Sequence, residues 1–422
     1  MISYTDAVKE VLNHVAVLPP EKKSIFKSLG QVTAENIYSS RNLPQLANSG
    51  PDGYALRSGD IRKASRENPV ILRVTETVRA GLLPSRKVML NTAARVMTGS
   101  VLPKGADCVV RFEDTDEPPN KNGPNRSFPA TVAIYVAAEP GTNVIGPGAI
   151  VRQGTLVMPK GTVVGPAQIS ALISIGTTRI SVYRRPVIAV IATGDELVPS
   201  GNALNRGKSF NSNTAALVAL ITHHGGIPKV LGIARDNQAS LRRKIRQGLA
   251  ADVIISSGGV SKGDFDLVRL VLGEIGEVVF ASLQMGPGRA VTFGVVPRNA
   301  GPRGRQVPIP MFALSGPPAG CLINFETLVR PALRKMLGYS VLRHPEVEAQ
   351  AVDSVNMKAP FPFVKWTQLE ETKAGYRVKF NSSAGVGFLP TMAAANSLTI
   401  LQQDAIINPG DKVQVLPLDF CS

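Results

Sequence analysis

The spacing of apolar residues changes character along the chain. Near the start, Val8, Val11 and Leu12 fall on one face of a helix expected over 6–15, with Thr5 as its cap and Pro19-Pro20 after it. A second short helix is expected over 28–39, with Gly30 weakening its first turn. From Pro44 to Val144 the pattern shifts to short β-type runs at 70–74, 108–112 and 131–136, separated by turns rich in Gly and Pro. Hairpin-like pieces at 155–162 then precede a short helix at 166–175.

After Arg184-Arg185-Pro186 the rhythm changes again. An uninterrupted apolar strand is expected at 187–192, further strands at 229–233, 252–256 and 311–314, and helices at 213–224, 239–249, 265–274 and 319–336. Such alternation predicts a doubly wound α/β domain whose mostly parallel sheet is covered on both faces. Beyond Gly338 the pattern returns to β at 363–370, 376–380, 397–401 and 412–416, a second small β domain. No repeat of solenoid period occurs.

Composition adds limits. A chain of 422 residues with 44% apolar and 18% charged residues should form two to four globular domains with ample core. The stretch 114–128 (DTDEPPNKNGPNRSF) reads as a long exposed loop. Net charge is +16, but Lys and Arg are scattered and aromatics are only 5%, which argues against a nucleic-acid partner and leaves an anionic ligand or a basic surface. Cys108, Cys321 and Cys421 stand far apart without metal or redox spacing, as expected in a reducing cytoplasm. No signal-peptide core or membrane-length apolar run is found, so no membrane partner is expected. The four histidines (His14, His223, His224, His344) lack metal spacing and read as surface or helix-end residues. Acid–base and metal chemistry would then fall to carboxylates, Lys and Arg.

In an open parallel sheet, ligands sit beyond the carboxyl ends of the strands. Three loops lie there: Thr193-Gly194-Asp195-Glu196, then SSGGVSKGDFD at 256–266, then Ser315-Gly316-Pro317-Pro318. Gly258 and Gly259 would let backbone N–H groups approach an anion. Ser257 and Ser261 add hydroxyls, and Lys262 adds charge. Asp264 and Asp266 repel a phosphate unless a cation lies between, so the mixture suits an anion with Mg²⁺. The alternative is a helix cap at Asp264 with glycines serving the turn. Asp195-Glu196, Asp52 in NSGPDGYA and Arg289 in MGPGR carry the same choice between chemistry and turn. No GxxxxGK[ST] or GxGxxG fingerprint occurs here.

Taken in order, these segments resemble the MoeA-type molybdopterin molybdenumtransferases, which include the gephyrin E domain. Asn48-Ser49 with Asp52-Gly53-Tyr54-Ala55 is similar to the family's DNSAMDGYA. Further matches are Arg95 to Gly99, Pro103 to Asp107, Thr193 to Leu197, Ser257 to Ser261 with Asp266, Arg330 to Leu333, and Ala395-Asn396. The resemblance implies an elongated homodimer with a MogA-like α/β domain, flanking β-rich domains and a C-terminal β barrel. The boundaries expected are 1–44 with 145–183 for a discontinuous linking domain, 45–144 for an inserted β-rich domain, 184–337 for the α/β domain and 338–422 for the barrel. The implied activity is insertion of molybdate into adenylylated molybdopterin with Mg²⁺-dependent release of AMP, at a site between the α/β domain of one subunit and the inserted domain of the other.

The resemblance assigns Mg²⁺ to Glu196 and Asp266, positioning of the cross-subunit loop to Asp52, and substrate contacts to Ser49, Thr98, Thr193, Gly194, Ser257, Gly258, Gly259, Ser261, Arg289, Gly316 and Pro318. The chain also departs from the family's pattern. Ala47 and Asn211 stand where the family has acids, Gly286 and Arg289 where it has lysines, and Pro317 where it has Asn; an acid expected near Gly148 appears as Ala149-Ile150. Asn for Asp removes a charge that a hard cation favours. The first expectation is a molybdenum-insertion enzyme. The alternatives are a divergent paralogue with another oxyanion or weak activity, and a non-catalytic pterin-binding scaffold.

Overall fold

The computed structural model describes residues 1–117, 129–259, 267–299, 306–380 and 389–418. The chain forms two compact units: Met1–Glu35 with Lys160–Pro166 and Arg179–Ser422, and Asn36–Pro159 with Ala167–Thr178.

The first unit is built on a six-stranded sheet. Its strands are β1 (Val187–Thr193), β2 (Ile227–Ala234), β3 (Val253–Ser257), β4 (Glu277–Phe280), β5 (Thr292–Asn299) and β6 (Gln306–Leu314), in the order β2-β1-β3-β6-β5-β4. The first four pair in parallel. β5 and β4 add an antiparallel edge. β1 is buried on both faces: Ile188 and Val190 join one core cluster, and Ala189 and Ile191 the other. That two-sided burial is what an unbroken apolar strand requires. Helices α1 (Ser212–His223), α2 (Gln238–Gly248) and α3 (Leu267–Ile275) alternate with the strands as expected.

The helix expected at 319–336 consists of α4 (Pro318–Asn324), a π turn (Phe325–Val329) and α5 (Arg330–Met336). Pro331 lacks the N–H that a regular helix directs at the Thr327 carbonyl, and the wide turn lies over that gap. A closed five-stranded barrel follows, from Val347–Ala351, Gly375–Lys379, Phe363–Thr372, Ser397–Leu401 and Lys412–Pro417.

In the second unit a five-stranded sheet runs in the order Cys108–Arg111, Gly53–Leu56, Thr92–Val96, Val70–Val78, Thr131–Ile134. Gly53 is obligatory there, because a Cβ would meet the Val110 carbonyl oxygen at 2.1 Å.

Two expectations are corrected. Residues 28–39 form no helix: Val32 and Thr33 make β-bridges to Val163 and Val182, and Ile37–Tyr38 is a strand. Gly30, at φ +74°, breaks the helical path, and the β-branched residues after it find extended partners. The start of 114–128 is not an exposed loop either. Thr115 is buried and bridged to Ile134, and Glu117 is held by two side chains. Residues 118–128 lie outside the described residues.

Candidate active site

The ends of β1, β3 and β6 open onto one cleft of about 290 Å³. Its wall includes Thr193, Glu196, Ser257, Gly258, Gly316 and Pro318. Thr193 Oγ1 donates to the Ser257 carbonyl at 3.2 Å, and Gly258 N donates to the Leu314 carbonyl at 3.1 Å, so the three strand ends are tied together. Gly258 and Gly259 have φ of +84° and +70°. A Cβ at Gly258 would lie 2.6 Å from the Thr193 carbonyl oxygen, and one at Gly259 would lie 2.7 Å from Thr193 Oγ1. Only glycine lets the backbone turn this tightly against β1.

Glu196 folds back over Gly194, where a Cβ would stand 2.3 Å from Glu196 Oε2. Ser209 N donates to the Glu196 carbonyl at 2.9 Å and Asn211 N to the Val198 carbonyl at 2.9 Å. These bonds deliver the chain to α1, whose first turn also lines the cleft. Asn211 caps it, its Oδ1 accepting from Thr214 N at 3.3 Å. The preceding N–H groups of Ser212 and Asn213 belong to the turn that lacks intrahelical acceptors. Asn213, nine-tenths buried, donates from Nδ2 to the Gly316 carbonyl at 2.8 Å.

The expected residues therefore divide. Thr193, Glu196, Ser257, Gly258, Gly316 and Pro318 are together in the cleft wall, with Gly194 and Gly259 shaping it. Asp195 is on the rim, its N donating to Asp236 Oδ2 at 3.1 Å and its carboxylate 3.9 Å from Arg235. Pro317 is not part of the wall. Arg289 is not either: its guanidinium lies 5.2 Å over the Phe361 ring and 3.0 Å from Met1 Sδ. Gly286 packs against Phe363 and Phe361. Ser261, Lys262, Asp264 and Asp266 lie outside the described residues.

Asp52, Ser49 and Thr98 belong to the second unit. Asp52 Oδ1 accepts from Thr98 N at 2.7 Å and from Thr98 Oγ1 at 2.9 Å, at an exposed turn. Ser49 is fully buried, and its hydroxyl donates to the Pro51 carbonyl of its own turn at 2.5 Å. Beneath this turn, Glu117 accepts from Tyr54 Oη at 2.5 Å and from Arg95 Nη2 at 3.0 Å. Burial, followed by the Glu117 bond, pushes the Tyr54 hydroxyl well above its ordinary range. Tyr54 and Arg95 face each other across adjacent strands, so this partly buried triad braces the two strands whose ends adjoin Asp52 and Thr98.

Mg²⁺ can be tested against the cleft wall. Glu196 is the one carboxylate among the described residues of that wall. No group of three or more His, Cys, Asp or Glu suited to a metal occurs among the described residues. One carboxylate beside hydroxyl and amide oxygens fits a hard cation that arrives with phosphate oxygens, not a preformed cage.

Comparison with known proteins decides the family. Residues 2–176 match the MoeA N-terminal region (domain I and II), and residues 189–335 match the probable molybdopterin binding domain. A protein of Nostoc sp. named molybdopterin molybdenumtransferase is 32% identical over 99% of this chain and 94% of its own length. The chain belongs to the molybdopterin molybdenumtransferase family. A Staphylococcus epidermidis protein of the same name is 30% identical over 95% of this chain and 91% of its own length. A crystal structure of a molybdopterin biosynthesis moeA protein from Pyrococcus horikosii superposes with a TM-score of 0.82 at 30% identity, covering 99% of each chain. The family is one of transferases, and its members serve molybdenum cofactor biosynthesis. Membership agrees with the α/β domain, the β-rich flanking parts and the closed barrel.

Sequence reasoning left two features of this family member unread. One is the Asn213–Gly316 tie, which joins residues 103 positions apart. The other is a buried carboxylate, Glu326, flanked by His224 and His344. Both histidines are 9% exposed, so neither is a surface residue, although His224 does cap a helix end. Isolated histidines carry no periodic signal that could have paired them.

Proposed function

We propose that this chain inserts molybdate into adenylylated molybdopterin and releases AMP with Mg²⁺, as a cytoplasmic homodimer. The observation that carries the reading is the cleft at the ends of β1, β3 and β6, where glycine turns, hydroxyls and a helix start meet one carboxylate. The backbone N–H of Gly259 and those opening α1 would hold phosphate or molybdate oxygens, while Gly258, its own N–H bonded to the Leu314 carbonyl, would let them approach. Ser257 would add a hydroxyl donor. Glu196 would hold Mg²⁺ against the substrate's phosphates, with Asp266 as the second expected ligand. The ion, when bound, offsets charge building on the phosphate of the leaving AMP. Asp52, fixed by Thr98, would close the cleft from a second copy of the chain. Arg289 is assigned no substrate contact. Buried free thiols at Cys108 and Cys321 agree with a reducing cytoplasmic setting.

The single carboxylate in the described wall favours a second reading, a divergent member with weak Mg²⁺ dependence or another oxyanion. One assay separates them: purified protein with adenylylated molybdopterin, molybdate and graded Mg²⁺, read as AMP. Saturable Mg²⁺-dependent AMP release supports the first reading, and Glu196→Gln should lower it at least about tenfold. Tight pterin binding without AMP would leave only a binding protein.

A further inference from the structure

Glu326 has 2% of its surface exposed and stands in the π turn between α4 and α5. Its Oε1 is 3.5 Å from His224 Nε2, and its Oε2 is 2.7 Å from His344 Nε2 and 3.9 Å from Arg330 Nε. Burial alone would push this carboxyl up, but the hydrogen bonds from His224 and His344 bring it below the usual carboxylate range. A charge kept this deep needs partners at its oxygens, and here the two oxygens divide them: Oε1 faces His224, and Oε2 faces His344 and Arg330. Glu326 is thus a node where two separate ties meet.

The node's location gives it a role. His224 is the C-terminal cap of α1, whose first turn lines the cleft. Glu326 follows α4, whose Pro318 lines the same cleft. The two helices are thus tied at both ends: Asn213 to the Gly316 carbonyl at the cleft, and His224 to Glu326 at the far end. Leu217, Leu220, Ile221 and Ile323 fill one core cluster with them. His344 ties the same carboxylate to the segment leading into the barrel, a tie that does not run to the cleft.

We propose that Glu326 is a positioning residue, which through His224 fixes α1 against α4 and so sets the spacing of the cleft's first helical turns. The inference rests on the function proposed above, and its test separates the two. Steady-state AMP release is measured for wild type, Glu326→Gln, His224→Gln, His344→Gln and the Glu326→Gln/His224→Gln double variant, beside thermal unfolding of each. Glu326→Gln and His224→Gln should each raise KM for the pterin nucleotide about tenfold, while kcat stays within about twofold. The double variant should be no worse than Glu326→Gln alone, since both break one tie. His344→Gln should lower the unfolding temperature and leave KM unchanged. A folded Glu326→Gln or His224→Gln protein with wild-type KM overturns the proposal, as does a His344→Gln protein with an equal rise in KM. If Glu326→Gln fails to fold, His224→Gln carries the test. If wild type releases no AMP, the proposed function fails and hydrogen exchange decides this inference. Residues 216–219 and 321–324, whose amides are bonded within α1 and α4, should then exchange about tenfold faster in the folded variant while β1 and β3 are unchanged. Equal exchange overturns it.

Discussion

Asp52 shows what a single residue's surroundings contribute. Its place in a Gly-Tyr turn was readable, but its partner Thr98 became evident only once two strands were paired. Thr98→Val removes one of two bonds to Oδ1 and should lower kcat with little loss of stability, as checked by AMP release and urea unfolding. Gly258 makes the opposite case, a residue whose value lies in having no side chain. Gly258→Ala puts a Cβ 2.6 Å from the Thr193 carbonyl oxygen at positive φ, which should cost about 1–3 kcal/mol in chemical denaturation. Asn211 caps α1 with the same geometry an aspartate would use. Asn211→Asp should therefore leave unfolding within about 0.5 kcal/mol of wild type. Nucleotide-dependent Mg²⁺ half-saturation should fall, because the cleft gains a second carboxylate.

At the scale of elements, parallel strands were the most legible part of the chain. β1 and β3 are buried on both faces and read as unbroken apolar runs, and their trailing loops marked the cleft. The edge hairpin was not legible: β4 has four residues, and β5 carries Gly294 and Pro297 in its length. The barrel strand Val347–Ala351 escaped for a related reason, its buried positions being two alanines. Ion pairs that brace elements are equally silent in sequence. Arg184 donates to both carboxylate oxygens of Asp252 at 2.6 Å, and Asp252 also accepts from Val187 N at 2.9 Å, which locks the starts of β1 and β3. Burial pushes the Asp252 carboxyl up, but the Arg184 and Val187 bonds hold it below its ordinary value. With the folded value below the unfolded one, the contribution is complete above about pH 4 and lost as pH falls through the folded value. Asp252→Asn should remove about 1–3 kcal/mol at pH 7 and flatten the acid limb of the stability curve.

For the whole molecule, the proposed site needs a cleft from one copy and the Asp52 turn from another. That arrangement is implied by the resemblance to the family and requires two chains, so neither periodicity nor the fold of one chain could reveal it. Subunit exchange makes it testable. Asp52→Asn and Glu196→Gln proteins, each impaired alone, should regain about a quarter of wild-type activity when mixed equally and allowed to exchange. Half the dimers are then mixed, and each holds one intact site and one doubly altered site. No recovery would place both residues in one subunit's site. The most direct test of the account remains AMP release from adenylylated molybdopterin by the purified wild-type protein, with molybdate and with Mg²⁺ present or withheld. Release should require both and fall at least about tenfold on Glu196→Gln. Release that ignores both, or a cleft that never binds the nucleotide, would contradict it.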